Sequence, residues 1–189
     1  MGKKIKQQLI ISGVGGQGVL FVTRLLAEAA IRRRLPVFTS ETHGMAQRGG
    51  TVLSHLKVGD FSSPLIRPTQ ADGLLILKFE NIAQHGAFLK SGGWVVVNTR
   101  NDNVQATELP IDTIDADTLA QKIGNPKAVN LIVLGFALAK AEQNTKNRAK
   151  LFCSLAEIKA VLENRLTRRK DMLDASLKAL ETGYRAFAP

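Results

Sequence analysis

The apolar positions of this chain form two kinds of pattern, short continuous runs and repeats of three to four residues. The first run predicts a buried strand from about Gln8 to Ser12, and the repeat after it predicts a helix from about Gly18 to Arg33. Leu35 and Pro36 end that helix, and Val37 to Thr39 predicts a second strand. Thr51 to Val58 alternates between apolar and polar side chains before a Gly-Asp turn, which predicts a third strand.

Later segments continue this alternation. We expect Phe61 to Ile66 to pair back on the third strand as an antiparallel hairpin. A helix from about Lys127 to Glu142 is apolar almost all round and should be deeply buried or form an interface. The other predicted elements are strands at Gly73 to Leu77 and Trp94 to Val97, and helices at Glu80 to Lys90, at Asp115 to Ile123 and twice within Ser154 to Arg185.

Alternating strands and helices favour an α/β fold, a three-layer α/β/α sandwich with a mainly parallel, Rossmann-like sheet. The sheet would include the antiparallel hairpin. A length of 189 residues fits one domain, which we expect to span residues 1–189 with residues 154–185 as a helical C-terminal appendage.

The composition, 44% apolar and 22% charged, is ordinary for a globular protein. We find no signal-peptide core and no apolar stretch near the roughly 20 residues of a membrane span, and therefore expect a cytoplasmic protein. The single cysteine, Cys153, excludes an intrachain disulfide and an iron–sulfur cluster held by this chain's own thiolates; we expect it to pack in the core. No metal site is predicted, because His55 and His85 have no neighbours at metal-ligand spacing.

A net charge of +10 arises from 26 basic and 16 acidic residues. Such a surplus suits nucleic acid, an acidic partner or an anionic cofactor. The basic residues do not form one block, and aromatic residues are only 5% of the chain, which disfavours nucleic-acid binding by base stacking.

A glycine-rich turn joins the first predicted strand to the first helix. Gly13, Gly15 and Gly18 have the G-x-G-x-x-G spacing, and Gly16 adds a fourth glycine. Without Cβ atoms the backbone can bend sharply, and an anion can approach the amides at the helix N-terminus. The turn predicts a phosphate-type ligand site or a subunit contact; a tight connection built only for packing is the alternative. The candidate cofactor-binding residues are these four glycines and Gln17.

A second motif, Glu41 to Gly50, follows the second predicted strand. Ligands of α/β sheets bind at the carboxyl edge, so this loop should lie beside the glycine turn. Arg48 can present a planar guanidinium to a phosphate or carboxylate, and His43 and Gln47 are candidates for polar contacts. The alternative is an exposed loop with an ordinary surface arginine.

The two motifs together resemble those of one family. The stretches Ile11 to Gly18 and Glu41 to Gly50 are similar to the gamma-type domain of 2-oxoacid:ferredoxin oxidoreductases. The form Thr-His-Gly-Met-Ala-Gln-Arg-Gly-Gly is most similar to the small (beta) subunit of the indolepyruvate enzymes. Gly124 to Asn130 and Ala179 to Tyr184 add further matches, so the resemblance covers essentially the whole chain.

This resemblance implies an enzyme that oxidatively decarboxylates a 2-oxoacid with thiamine diphosphate, passes electrons through iron–sulfur clusters to ferredoxin and releases an acyl-CoA. It implies that a large partner subunit holds the thiamine diphosphate and the clusters. This chain would bind no cofactor alone and would complete the active-site region and the coenzyme A site. Arg48 would contact an anion, His43 and Gln47 would contact substrate or cofactor, and the amides of residues 15–18 would face the partner's active site or the CoA phosphates.

Two other functions stay open from the residues alone. A free-standing nucleotide-binding protein would use the same glycine turn, with Glu41 as the nearest candidate for the acidic residue that follows the second strand of dinucleotide sites. A basic nucleic-acid-interaction module would show steep salt dependence of DNA binding.

Overall fold

A computed structural model describes residues 5–43, 50–100, 109–143 and 151–187. Three short 3-10 segments, Phe79–Asn81, Gly86–Phe88 and Pro126–Ala128, accompany its regular elements. In chain order these are β1 (Gln7–Val14), α1 (Val19–Arg32), β2 (Val37–His43), β3 (Thr51–Val58), β4 (Ala71–Ile76), α2 (Ile82–His85), β5 (Leu89–Asn98), β6 (Ile111–Ile114), α3 (Ala116–Lys122), α4 (Val129–Gln143), α5 (Leu155–Arg165) and α6 (Lys170–Arg185).

Six strands in this part of the chain form one sheet in the order β2-β3-β1-β4-β5-β6. The pairs β1–β4, β4–β5 and β5–β6 are parallel, whereas β3 runs antiparallel to both β1 and β2. All strands except β3 therefore run in one direction. The predicted α/β class with a mainly parallel sheet is confirmed, and the antiparallel hairpin is formed by β2 and β3.

The location predicted for that hairpin is wrong, because residues 61–66 form no strand. The backbone amide of Ile66 donates to Nδ1 of His55 over 3.2 Å. The ring of Phe61 lies against the ammonium groups of Lys6 and Lys57. Contacts through side chains thus hold this segment on the sheet, in place of the backbone hydrogen bonds expected between paired strands.

The single long helix predicted from Glu80 to Lys90 is also wrong. One α-helical turn, α2, forms there between two 3-10 segments. The end of the segment becomes β5 instead, since Leu89 pairs with Ala71 of β4. The sequence patterns also gave no sign of β6, a four-residue strand at the edge of the sheet.

The two faces of the sheet are covered unequally. Side chains such as Leu9 and Ile11 meet α1, α3, α4, α5 and α6 in one large hydrophobic cluster. On the other face, Ile10 belongs to a smaller cluster under α2 and the segment before β4. The C-terminal helices α5 and α6 contribute to the larger cluster, through Ile158 and Leu180 among others.

Helix α4 lies at the centre of the helical layer, as its apolar sequence predicted. Its residues Ile132, Leu134 and Leu138 have no exposed surface. A glycine on each helix lets α4 and α6 approach closely, because a Cβ on Gly135 or Gly183 would overlap the backbone of the other helix. None of the helices in the described ranges has the length and apolar character needed to cross a bilayer.

Some of the basic side chains form ion pairs between α1, with the residue that follows it, and α5. Arg33 pairs with Glu157 over 3.4 Å, and Arg165 pairs with Glu28. These arginines are therefore partly neutralised within the chain.

Candidate functional site

The glycine turn lies at the carboxyl edge of the sheet, between the end of β1 and the start of α1. Gly16 and Gly18 have φ angles of +93° and +78°, in the region that favours glycine. The amide of Gly15 donates to the carbonyl of Gly50 over 3.0 Å, and Gly15 and Gly16 are exposed. No described side chain caps α1, and its first turn holds no acidic residue. The first turn itself therefore supplies no negative charge to the partial positive charge of the helix N-terminus.

The glycines of the motif have different roles. A Cβ on Gly13 would lie 2.8 Å from Oε1 of Gln17 and 2.9 Å from the Val19 side chain, and one on Gly18 would overlap Asn130. The close packing at these two positions therefore requires glycine. A Cβ on Gly16 would have no heavy atom of the described residues within 4 Å. Among those residues, Gly16 therefore leaves room on the outer side of the turn.

Gln17 fastens the turn to the neighbouring strand. Its Oε1 accepts from the amide of Val14 over 2.9 Å, and its Nε2 donates to the carbonyl of Leu77 over 3.2 Å. The same carbonyl accepts from Nδ2 of Asn98, at the end of β5, over 3.3 Å. The carboxyl ends of β1, β4 and β5 are thus held together, which fixes the backbone that carries the turn.

A buried polar cluster supports the turn from beneath. Nδ2 of Asn81 donates to Oγ of Ser12 and to the carbonyl of Gly13, each over 2.9 Å. Oγ of Ser12 lies 2.7 Å from Nδ1 of His85. Since the Ser12 oxygen accepts from Asn81, its hydroxyl can donate to a neutral His85. Burial lowers the pKa of His85, in keeping with the neutral form.

Sequence reasoning did not identify this cluster of Ser12, Asn81 and His85. The available signal was Ser12 itself, a hydroxyl that directly follows the apolar run Leu9 to Ile11 and is fully buried in the fold. A buried polar side chain needs a partner, and both partners come from the segment after β4.

The second motif begins and ends at the same edge of the sheet. The backbone of His43, the last residue of β2, pairs with Val52 of β3, and Val52 pairs in turn with Gly13 of β1. Gly50 is hydrogen-bonded to the turn through Gly15. Gln47, Arg48 and the side chain of His43 lie outside the described residues. The ends of the loop flank the glycine turn, as the strand order requires.

The position of β3 bears on the dinucleotide alternative. In dinucleotide sites the acidic residue lies at the end of the strand next to β1. Here β3 separates the two strands, with Glu41 opposite Ser54 and Ser54 opposite Ile11. At about 4.8 Å between strands, the backbone of Glu41 lies about 10 Å from β1. This geometry disfavours a conventional dinucleotide site.

Cys153 is only 5% exposed, and burial raises the pKa of its thiol to about 12, so it is a protonated core residue. Over the ranges described, no group of three or more His, Cys, Asp or Glu side chains is placed to hold a metal ion.

Comparison with known proteins relates this chain to one enzyme family. The family model for pyruvate ferredoxin/flavodoxin oxidoreductase matches residues 8–186. The indolepyruvate oxidoreductase subunit IorB of Archaeoglobus fulgidus is 30% identical over 95% of this chain and 94% of its own length.

Solved structures share the fold. The gamma subunit of a keto/oxoacid ferredoxin oxidoreductase from Geobacter sulfurreducens superposes with a TM-score of 0.71 at 24% identity, over 96% of this chain and 98% of that chain. A 2-oxoglutarate:ferredoxin oxidoreductase from Magnetococcus marinus, with 2-oxoglutarate, coenzyme A and succinyl-CoA bound, gives 0.75 at 19% identity, over 98% of this chain and 32% of that chain. With the family model matching nearly its whole length, the chain belongs to the pyruvate ferredoxin/flavodoxin oxidoreductase family.

Proposed function

We propose that this chain is the small subunit of a 2-oxoacid:ferredoxin oxidoreductase of the indolepyruvate type. The observation that carries the proposal is the match over almost the full length of both chains to a subunit named for that enzyme. The reaction converts a 2-oxoacid and coenzyme A into an acyl-CoA and carbon dioxide, releasing one proton and two electrons that reduce ferredoxin. The enzyme works in the cytoplasm.

The cofactors belong to a large partner subunit in this proposal. Thiamine diphosphate would supply a stabilised carbanion, and iron–sulfur clusters would carry the electrons. The one cysteine of this chain is a buried thiol with a raised pKa, which fits a core position and not a cluster ligand.

The contribution of this chain is the carboxyl edge of its sheet. No described side chain caps the N-terminus of α1, and no described atom fills the outer side of Gly16. Both features fit the approach of an anionic group such as the phosphates of coenzyme A. We assign to Arg48 a contact with an anionic group of substrate or coenzyme, and to His43 and Gln47 polar contacts beside it. The cluster under the turn and the side chain of Gln17 hold this edge in place.

Reconstitution tests the proposal. The purified chain alone should be colourless and inactive, and reduction of ferredoxin or a viologen dye by indolepyruvate and coenzyme A should appear only after the large subunit is added. Visible absorption from a stoichiometric flavin or cluster in this chain alone would contradict the assignment. A stoichiometric nucleotide, released from the purified chain by acid, would favour the nucleotide-binding alternative instead.

A further inference from the structure

Three cationic side chains meet at the amino edge of the sheet, at the opposite end of β1 from the glycine turn. Nζ of Lys6 lies 4.6 Å and Nζ of Lys57 lies 5.0 Å from the centre of the Phe61 ring. Burial lowers the pKa of Lys57, and the charges of Arg67 and Lys6 lower it further. Lys6 and Arg67 are therefore each close enough to Lys57 to repel its charge.

The described part of the chain supplies no close counterion to this cluster. Among the described residues, no Asp or Glu oxygen lies within 4.0 Å of the charged atoms of Lys6, Lys57 or Arg67. Lys57 is nevertheless only 8% exposed, so its charge is less well solvated than that of a surface lysine. Like charges held together without a counterion destabilise the free chain, and an external anion would relieve that repulsion.

Apolar side chains adjoin the cations. Phe38 of β2 is directly opposite Lys57 in the ladder, so the two share one face of the sheet, and Phe38 is 40% exposed. On the same face, His55 binds the amide of Ile66, whose neighbour Leu65 is 52% exposed. Phe38 lies on β2, the strand at the edge of the sheet, whose partner among the described strands is β3.

We propose that Lys6, Lys57, Arg67, Phe38 and Phe61 form a docking surface for an acidic segment of the large partner subunit. The proposal rests on the proposed function, which supplies that partner. Charge complementarity selects an acidic occupant. The exposed aromatic ring favours a polypeptide over a small anion, because an anion alone would leave the apolar area uncovered.

The number of cations argues for a protein over DNA. A duplex-binding surface typically neutralises about 6–10 phosphates with exposed cations. Within the residues that the structure describes, this surface offers three cations, one of them largely buried. The surface instead combines a small group of positive charges with apolar side chains. This combination suits an acidic strand or the acidic end of a helix.

Charge reversal tests the docking surface. The double variant Lys6→Glu/Arg67→Glu changes two exposed side chains and should fold normally. The matched control Arg168→Glu/Lys178→Glu makes the same change in net charge at exposed positions on the helical face. The dissociation constant for the purified large subunit is measured for both variants and the wild-type chain from low to high salt.

We expect the Lys6/Arg67 variant to bind roughly tenfold or more weakly at low salt, whereas the control keeps the wild-type affinity. The difference should shrink towards 1 M salt, where the Debye length is about 3 Å. Wild-type affinity and salt dependence in the Lys6/Arg67 variant would overturn the docking surface. So would binding of duplex DNA by the free chain that this variant abolishes, since the surface would then serve nucleic acid.

The same samples separate this proposal from the proposed function. A wild-type complex that assembles but turns over no 2-oxoacid contradicts the proposed function, while its dissociation constants still test the docking surface. An active complex whose dissociation constant is unchanged by the charge reversal contradicts the docking surface alone. If the wild-type chain forms no complex with the large subunit, both proposals are wrong.

Discussion

Replacing Gly16 with alanine adds one methyl group to the outer side of the glycine turn. The new Cβ would have no heavy atom of the described residues within 4 Å, so it clashes with none of them. The cost comes from the backbone, because φ at Gly16 is +93°. A positive φ costs an L-residue roughly 1–2 kcal/mol. The smaller entropy of the unfolded alanine chain offsets about 0.4–1 kcal/mol of this.

We therefore expect Gly16→Ala to lower the free energy of unfolding by about 1 kcal/mol, which corresponds to a Tm about 2–4 °C lower for a chain of this size. Gly92 provides a matched control. Its φ is +72°, its Cβ would also meet no described atom within 4 Å, and it lies in the amino-terminal half of β5, away from the turn. Gly92→Ala should be destabilised to a similar extent.

The two variants should differ in the assembled enzyme. If the outer side of the turn faces coenzyme A or the partner's active site, Gly16→Ala should lower kcat/KM for coenzyme A, or affinity for the large subunit, about tenfold, equivalent to about 1.4 kcal/mol. Gly92→Ala should leave both unchanged. The assay is thermal unfolding of each free chain, followed by steady-state kinetics and binding with the large subunit. Equal kinetic and binding constants for the two alanine variants would refute the reasoning, because the turn would then face solvent.

Four further predictions follow from individual residues. Arg48→Ala should lower kcat/KM of the reconstituted enzyme roughly 10- to 150-fold while changing the free energy of unfolding by less than about 0.5 kcal/mol. Arg48→Lys should recover only part of the lost kcat/KM. Steady-state kinetics with oxoacid and coenzyme A varied separately checks both expectations. Burial lowers the pKa of His85 below its ordinary 6.5, so the unfolded state takes up a proton first as the pH falls. Stability should therefore decline below about pH 6.5. In denaturant unfolding between pH 5 and pH 8, the free energy of unfolding of His85→Gln should depend less on pH than that of the wild-type chain. A Cβ at Gly183 would overlap the Ile132 carbonyl, so Gly183→Ala should lower the free energy of unfolding by about 1–3 kcal/mol, and an unchanged melting curve would contradict the close contact of α4 with α6. The Cys153 thiol, with a pKa raised to about 12, should resist iodoacetamide at pH 8 in the native chain and react once the chain is unfolded, as mass spectrometry can measure.

The path from β1 through the glycine turn into α1 was predictable because each step leaves a local pattern in the sequence. A continuous apolar run, residues without Cβ and an apolar repeat at helical spacing follow one another. Prediction failed where a distant contact decides the structure. The apolar segment ending at Ile66 could have formed a strand, but its amide binds the side chain of His55. Likewise, pairing with Ala71 places Leu89 in a strand instead of a helix.

The candidate site shows the same limit. Spacing alone cannot separate Gly16, whose Cβ would meet no described atom, from Gly13 and Gly18, which face side chains, because that difference depends on what packs around each glycine. The contacts of Ser12 with Asn81 and His85 join positions 69 and 73 residues apart. They exist because β4 lies beside β1, and the local sequence pattern does not specify that adjacency.

Hydrogen exchange at the glycine turn tests the central claim most directly. Amide exchange in the peptide that covers residues 13–21 is followed by mass spectrometry in the free chain, in the complex with the large subunit, and in the complex saturated with coenzyme A. If the carboxyl edge of the sheet completes the active-site region, this peptide should exchange more slowly in the complex and more slowly again with coenzyme A. An exchange rate that is the same in all three samples would contradict the claim.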